Sequence, residues 1–145
     1  MSRLRKTKAF AVKLKDSQKL EHSSSGGAFT AISDVFLSCR GVVASPVYNY
    51  ETSQTEFALY DTTKVRDEAR GSKYMQSYPL NIFQEAETWL KNNNGNLLFV
   101  GVGCQADGFR RFMELRGLRN RVTIVGIICH GSSSPKIWKD YVKGK

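Results

Sequence analysis

Two runs of seven residues constrain this chain more than anything else in it. Asn96 to Val102 (NLLFVGV) and Val122 to Ile128 (VTIVGII) are apolar at nearly every position and rich in β-branched side chains. Successive side chains of a strand point to opposite faces, so a strand without a polar face has to be covered on both sides. A parallel sheet with helices packed on either face meets that condition. The segments around the runs supply the helices. Between them, Asp107 to Arg116 sets Phe109, Phe112, Met113 and Leu115 near one stripe. After them, Pro135 opens a last helix over Lys136–Val142, a first-turn position that suits proline.

Upstream, Lys8 to Leu14 alternates with a β-type period and reads as a strand, followed by a polar loop from Asp16 to Gly27. Ala28 to Leu37 places Ala28, Ala31, Ile32, Val35 and Phe36 at helical spacing, with a serine before the glycines as the expected cap. Gly41–Tyr48 and Glu56–Tyr60 read as a hairpin, in which Pro46 asks for an edge or a bulge. A short helix over Thr62–Ala69 precedes an irregular stretch from Arg70 to Pro79. Leu80 to Asn92 then carries Ile82, Phe83, Ala86, Trp89 and Leu90 on one helical face. Trp89 and Trp138 are expected in the core. The fold class expected is α/β: one domain over 8–145 with a mostly parallel central sheet and helices on both faces, behind a basic arm at 1–7 without fixed structure.

Composition narrows the function classes. A chain of 145 residues with 41% hydrophobic and 24% charged residues has enough for one core and no run long enough to span a membrane. Three cysteines make no disulfide framework, which points to reduced thiols and a cytoplasmic location. The net charge of +9 is concentrated in Arg3–Lys19, where seven Lys and Arg face one Asp. A basic arm on a nearly balanced body argues against nucleic acid as the partner.

In a parallel α/β sheet the ligand crevice lies outside the carboxyl ends of the strands. Two loops fit: Gly103–Gly108, with Cys104 and Gln105, and Cys129–Pro135, with Cys129 and His130. At such junctions the helix dipole favours a thiolate, whereas free cysteines elsewhere are commonly small apolar fillers. Cys129 and His130 are consecutive and point apart, so a Cys-His pair would need Cys104 with His130. The loop Ser23–Gly27, with Ser24, Ser25, Gly26 and Gly27, suits either a phosphate or a plain helix start. Arg70, Gly71, Ser72, Lys73, Tyr74 and Gln76 suit a phosphate, a stacked ring or a solvated loop.

Taken in order, Ser24-Ser25-Gly26-Gly27-Ala28-Phe29-Thr30, Arg70-Gly71-Ser72-Lys73-Tyr74-Met75-Gln76-Ser77, Leu98-Phe99-Val100-Gly101-Val102-Gly103-Cys104-Gln105 and Ile128-Cys129-His130-Gly131, with Ser134-Pro135 and Trp138, resemble the coenzyme F-420 hydrogenase/dehydrogenase beta-subunit family. The resemblance implies the central flavoprotein part of longer members, without their N-terminal ferredoxin-like module and C-terminal half. It implies FAD, with Ser24, Ser25, Gly26, Gly27, Ser72, Lys73, Tyr74, Gln76 and Gln105 as cofactor-binding candidates. Cys104, Cys129 and His130 become the catalytic candidates, and a ferredoxin-like module or other redox protein becomes the partner. A 4Fe-4S cluster on Cys104 and Cys129 would need ligands from that partner, because four are required and Cys39 stands where the family commonly has glycine. Gly103 replaces a usual proline before the Cys-Gln pair. The alternative is a catalytically inactive truncated paralogue or interaction subunit, with a link to polysaccharide biosynthesis, which other members similar in these motifs serve.

Overall fold

A computed structural model describes residues 7–79 and 81–144. Apart from Thr7, the basic arm lies outside the described residues. The two apolar runs form β4 (Leu97–Val102) and β5 (Val122–Ile127), which pair in parallel from Leu97↔Val122 to Val102↔Ile127. β1 (Val42–Asn49) runs parallel to β4 over Val42–Ala44 and forms an antiparallel hairpin with β2 (Gln54–Tyr60). The two-residue β3 (Ser77–Tyr78) pairs in parallel with β2, completing the order β3-β2-β1-β4-β5. Pro46 falls past the last β1 residue paired to β4, where the strand is locally an edge, as its missing N–H requires.

Alternation along β4 builds the core in two halves. Leu97 and Phe99 face α4 (Ile82–Asn92) and α5 (Gly103–Leu115), meeting Ile82, Ala86, Leu90, Phe109 and Met113. Leu98 and Val100 face α2 (Ala28–Ser38) and α3 (Thr63–Glu68), meeting Phe29, Ile32, Phe36, Val65 and Ala69. On the first face Phe57, Phe99 and Phe109 stack with centroids 5.2 and 4.1 Å apart. The fold class is the α/β sandwich expected, mostly parallel with helices on both faces. Among the described residues no helix is long and apolar enough to cross a membrane.

Four local expectations change. Residues 8–14 run as exposed coil, because no strand lies alongside to pair with them. The polar loop contains α1 (Ser17–Glu21), capped by Asp16, whose carboxylate accepts the Lys19 N–H at 3.1 Å. α5 begins at Gly103 instead of Asp107, so Cys104 and Gln105 occupy its first turn. Trp138, on α6 (Pro135–Lys143), is half-buried and outside the core; its indole N–H donates to the Tyr48 hydroxyl at 3.0 Å.

The α2–α3 pair is locked by a buried cation that the sequence pattern did not single out. The Arg66 side chain is 2% exposed. Its Nη1 donates to the Thr30 carbonyl (3.2 Å), Ser33 Oγ (3.0 Å) and the Asp34 carboxylate, and its Nε donates to Asp67 (2.6 Å). Lys19 adds a second cation on Asp34 at 2.6 Å. Burial opposes ionisation of Asp34, but the hydrogen bonds from Lys19 and Arg66 outweigh it and hold the carboxyl below its ordinary value. Without Arg66, Asp34 keeps Lys19 and Asp67 keeps Arg70, so what is lost is a buried side chain and its hydrogen bonds to Thr30, Ser33 and the two carboxylates. Arg66→Ala should therefore cost about 2–4 kcal/mol in urea unfolding. A depressed carboxyl stabilises above its unfolded pKa of 3.8 and loses that contribution as pH falls through its folded value. Asp34→Asn should accordingly flatten the stability loss as pH falls below about 4, measured as urea midpoint against pH.

Candidate functional site

β1, β4 and β5 run the same way, so their carboxyl ends share one rim. The register pair Val102↔Ile127 marks it: Cys104 lies two residues beyond one member and Cys129 two residues beyond the other. Both thiols are exposed, and the Gly131 N–H donates to Cys129 Sγ at 3.3 Å. Cys39 caps the far end of α2, three residues before β1 begins, at the opposite end of the sheet.

The segment around Tyr74–Ser77 ties the two rim loops together. Gln105 Nε2 donates to the Ser77 carbonyl (2.9 Å) and Oγ (3.0 Å), while its Oε1 accepts the Val102 N–H (3.2 Å). On the other side Ser133 forms a parallel bridge with Met75, and its hydroxyl donates to the Tyr74 carbonyl at 3.2 Å. The chain thus closes a ring from β4 through Cys104 and Gln105 to Ser77, along to Met75, and through Ser133 and Cys129 back to β5. Ser72, Tyr74 and Gln76 stand exposed on it, Tyr74 at 85%. Arg70 lies behind it, only 12% exposed, with Nη2 on Asp67 at 2.7 Å and Nε buried without an acceptor.

Several candidates have other work. Gln105 is a brace, with both ends of its amide engaged. Lys73 folds back over the end of α3, where its ammonium donates to the carbonyls of Ala69 (2.8 Å), Arg70 (3.1 Å) and Gly71 (3.2 Å). Burial lowers its pKa. Its charge is spent on main-chain acceptors. His130 is exposed, and among the described residues no hydrogen bond joins it to Cys104 or Cys129.

The serine-glycine loop is covered by the chain's own leading segment. Leu14 N–H donates to the Gly26 carbonyl at 2.8 Å; a Cβ on Gly26 would collide with the Val12 carbonyl, and one on Gly27 with the Leu14 side chain. Gly27, at φ +79°, is itself the N-cap of α2, so no serine caps that helix; the Ser23 hydroxyl instead donates to the Lys19 carbonyl at 2.8 Å. The glycines serve this crossing, and Ser24 and Ser25 face solvent. Among the described residues no group of three or more His, Cys, Asp or Glu is arranged to hold a metal ion.

Comparison with known proteins bears out the family resemblance. Residues 94–145 match the family model for the C terminus of the coenzyme F420 hydrogenase/dehydrogenase beta subunit, a segment that includes both rim cysteines. Among solved structures, a chain of the F420-reducing [NiFe] hydrogenase complex from Methanosarcina barkeri superposes with a TM-score of 0.69 at 20% identity, over 90% of this chain. The likeness is one of fold, and this chain spans 47% of that chain, about half its length. No curated protein matches.

The brace makes a prediction for the rim. Gln105→Leu should release the Tyr74–Ser77 segment, raising amide exchange at Ser77 and Tyr78 and costing roughly 1.5–4.5 kcal/mol for three lost hydrogen bonds. Unchanged exchange there would mean the ring is held by other contacts.

Proposed function

We propose, with the beta-subunit resemblance as premise, that this chain is a flavin-binding redox module that seats FAD along the carboxyl rim and exchanges electrons or hydride with a protein partner. What supports the reading is the convergence of three sequence motifs, at 70–77, 103–105 and 128–131, on the ring closed by Gln105 and Ser133. The donor set there fits a flavin. Tyr74 offers an exposed aromatic face, and Ser72 and Gln76 offer polar groups.

The Ser23–Gly27 loop fits less well. Val12 and Leu14 fill the space against its glycines, leaving the outward hydroxyls of Ser24 and Ser25 as its contribution. Lys73 supports the 70–77 loop, its ammonium held on the carbonyls of Ala69, Arg70 and Gly71. When bound, FAD supplies the hydride and electron chemistry; the chain supplies binding, orientation and electrostatics. Cys104 and Cys129 would line the exchange side with His130, and would hold a 4Fe-4S cluster only with thiolates from a partner chain. The free thiols suit a reducing compartment, so the proposed location is the cytoplasm.

A second reading, an interaction subunit without catalysis, is favoured by one observation: the strap of Val12–Leu14 already lies on the serine-glycine loop. Titration of the purified chain with FAD, followed by quenching of flavin fluorescence, separates the two. The redox module binds FAD, and Tyr74→Ala weakens binding about tenfold, as loss of one aromatic contact of about 1.4 kcal/mol implies. A colourless protein that takes up no FAD would favour the interaction subunit, and an unaltered affinity in Tyr74→Ala would remove the ring from that loop.

A further inference from the structure

We infer that Cys104 and Cys129 form a reversible dithiol–disulfide couple at the sheet's carboxyl rim, a redox centre that needs no bound flavin. Strand register sets the two loops side by side, with Cys104 in the first turn of α5 and Cys129 in the loop after β5. Val102 and Ile127 are paired in a parallel ladder whose strands lie about 4.8 Å apart, and each thiol follows its strand by two residues. The same extended segment anchors both loops, Ser77 holding Gln105 beside Cys104 and Met75 bridging Ser133 on the Cys129 side. Both sulfurs are open to solvent and to a reagent. A Cβ built on Gly103 or Gly131 would meet nothing within 4 Å, so both turns are open beside their cysteines. The Gly131 N–H donates to Cys129 Sγ at 3.3 Å, which fixes the sulfur on the loop that follows β5.

Cys39 serves as a built-in control. It lies beyond the amino end of the sheet, and the six residues of β4 put roughly 20 Å between that end and the rim, whereas a disulfide needs Cα atoms within about 7 Å. Cys39 therefore cannot pair with either rim thiol inside one chain.

With a small-molecule disulfide as oxidant, the steps balance. The Cys129 thiolate attacks one sulfur of oxidised glutathione, breaking its S–S bond and releasing one glutathione thiolate. The Cys104 thiolate then attacks the Cys129 sulfur of the mixed disulfide and releases the second. The two protein thiols give up two protons and two electrons, and the oxidant leaves as two glutathione molecules.

The test uses the full chain, free of flavin, carrying Cys39→Ser to prevent links between molecules. After native incubation with oxidised glutathione, the expected product has no free thiol, carries no glutathione, and yields a tryptic peptide containing Cys104 joined to one containing Cys129. Dithiothreitol should restore two thiols. Adding Cys104→Ser should trap glutathione on Cys129. A protein that ends with glutathione on both cysteines and no joined peptide would overturn the inference, as would one whose thiols stay unreacted or join only in denaturant. Because no step involves flavin, these outcomes are independent of whether FAD binds.

Discussion

The structure depends on β4 having no polar face. Leu97 and Phe99 commit one side to α4 and α5, Leu98 and Val100 commit the other to α2 and α3, and all four are buried. A strand in that position has to sit inside the sheet, with a parallel neighbour on each edge, and β1 and β5 are those neighbours. Parallel strands end together, so burying β4 on both faces also gathers the loops that leave β4 and β5 onto one rim. Core packing and site geometry are therefore one constraint.

Side-chain hydrogen bonds then turn a row of loops into a ring. Gln105 reaches from the first turn of α5 to Ser77, and Ser133 reaches from the β5 loop to Tyr74. Three cations serve the main chain. Besides Lys73, Arg121 closes the end of α4 by donating to the carbonyls of Leu90 (2.6 Å), Asn93 (2.5 Å) and Gly95, and Arg119 donates to Val122 (2.5 Å). Others, Lys19, Arg66, Arg70, Lys91, Arg110, Arg111 and Arg116, pair with carboxylates.

Hydrophobic period made the sheet and its helices legible in the sequence, because burial on one or two faces leaves a mark at every second or every third to fourth residue. The same rule misread residues 8–14, whose alternation has no neighbouring strand to answer it, and it placed the start of α5 four residues late. A helix that begins in a polar first turn is fixed by a tertiary brace, here Gln105, and leaves no apolar signature. Arg66 was missed for a related reason: a buried arginine looks like a surface residue until its acceptors on α2 are brought beside it. At the site, residue types pointed to loops that do meet on the rim, at 70–77 and 103–105, but not to which of their atoms are free. Lys73, Gln105, Gly26 and Gly27 lie in the expected motifs but are engaged in holding them.

The direct test of the rim as a flavin seat is amide hydrogen exchange of the full chain with and without saturating FAD. The account predicts new protection across 70–78, 103–105 and 129–134, with 23–27 changing less because Val12 and Leu14 already cover it. Protection centred on 23–27, or none at all, would contradict it.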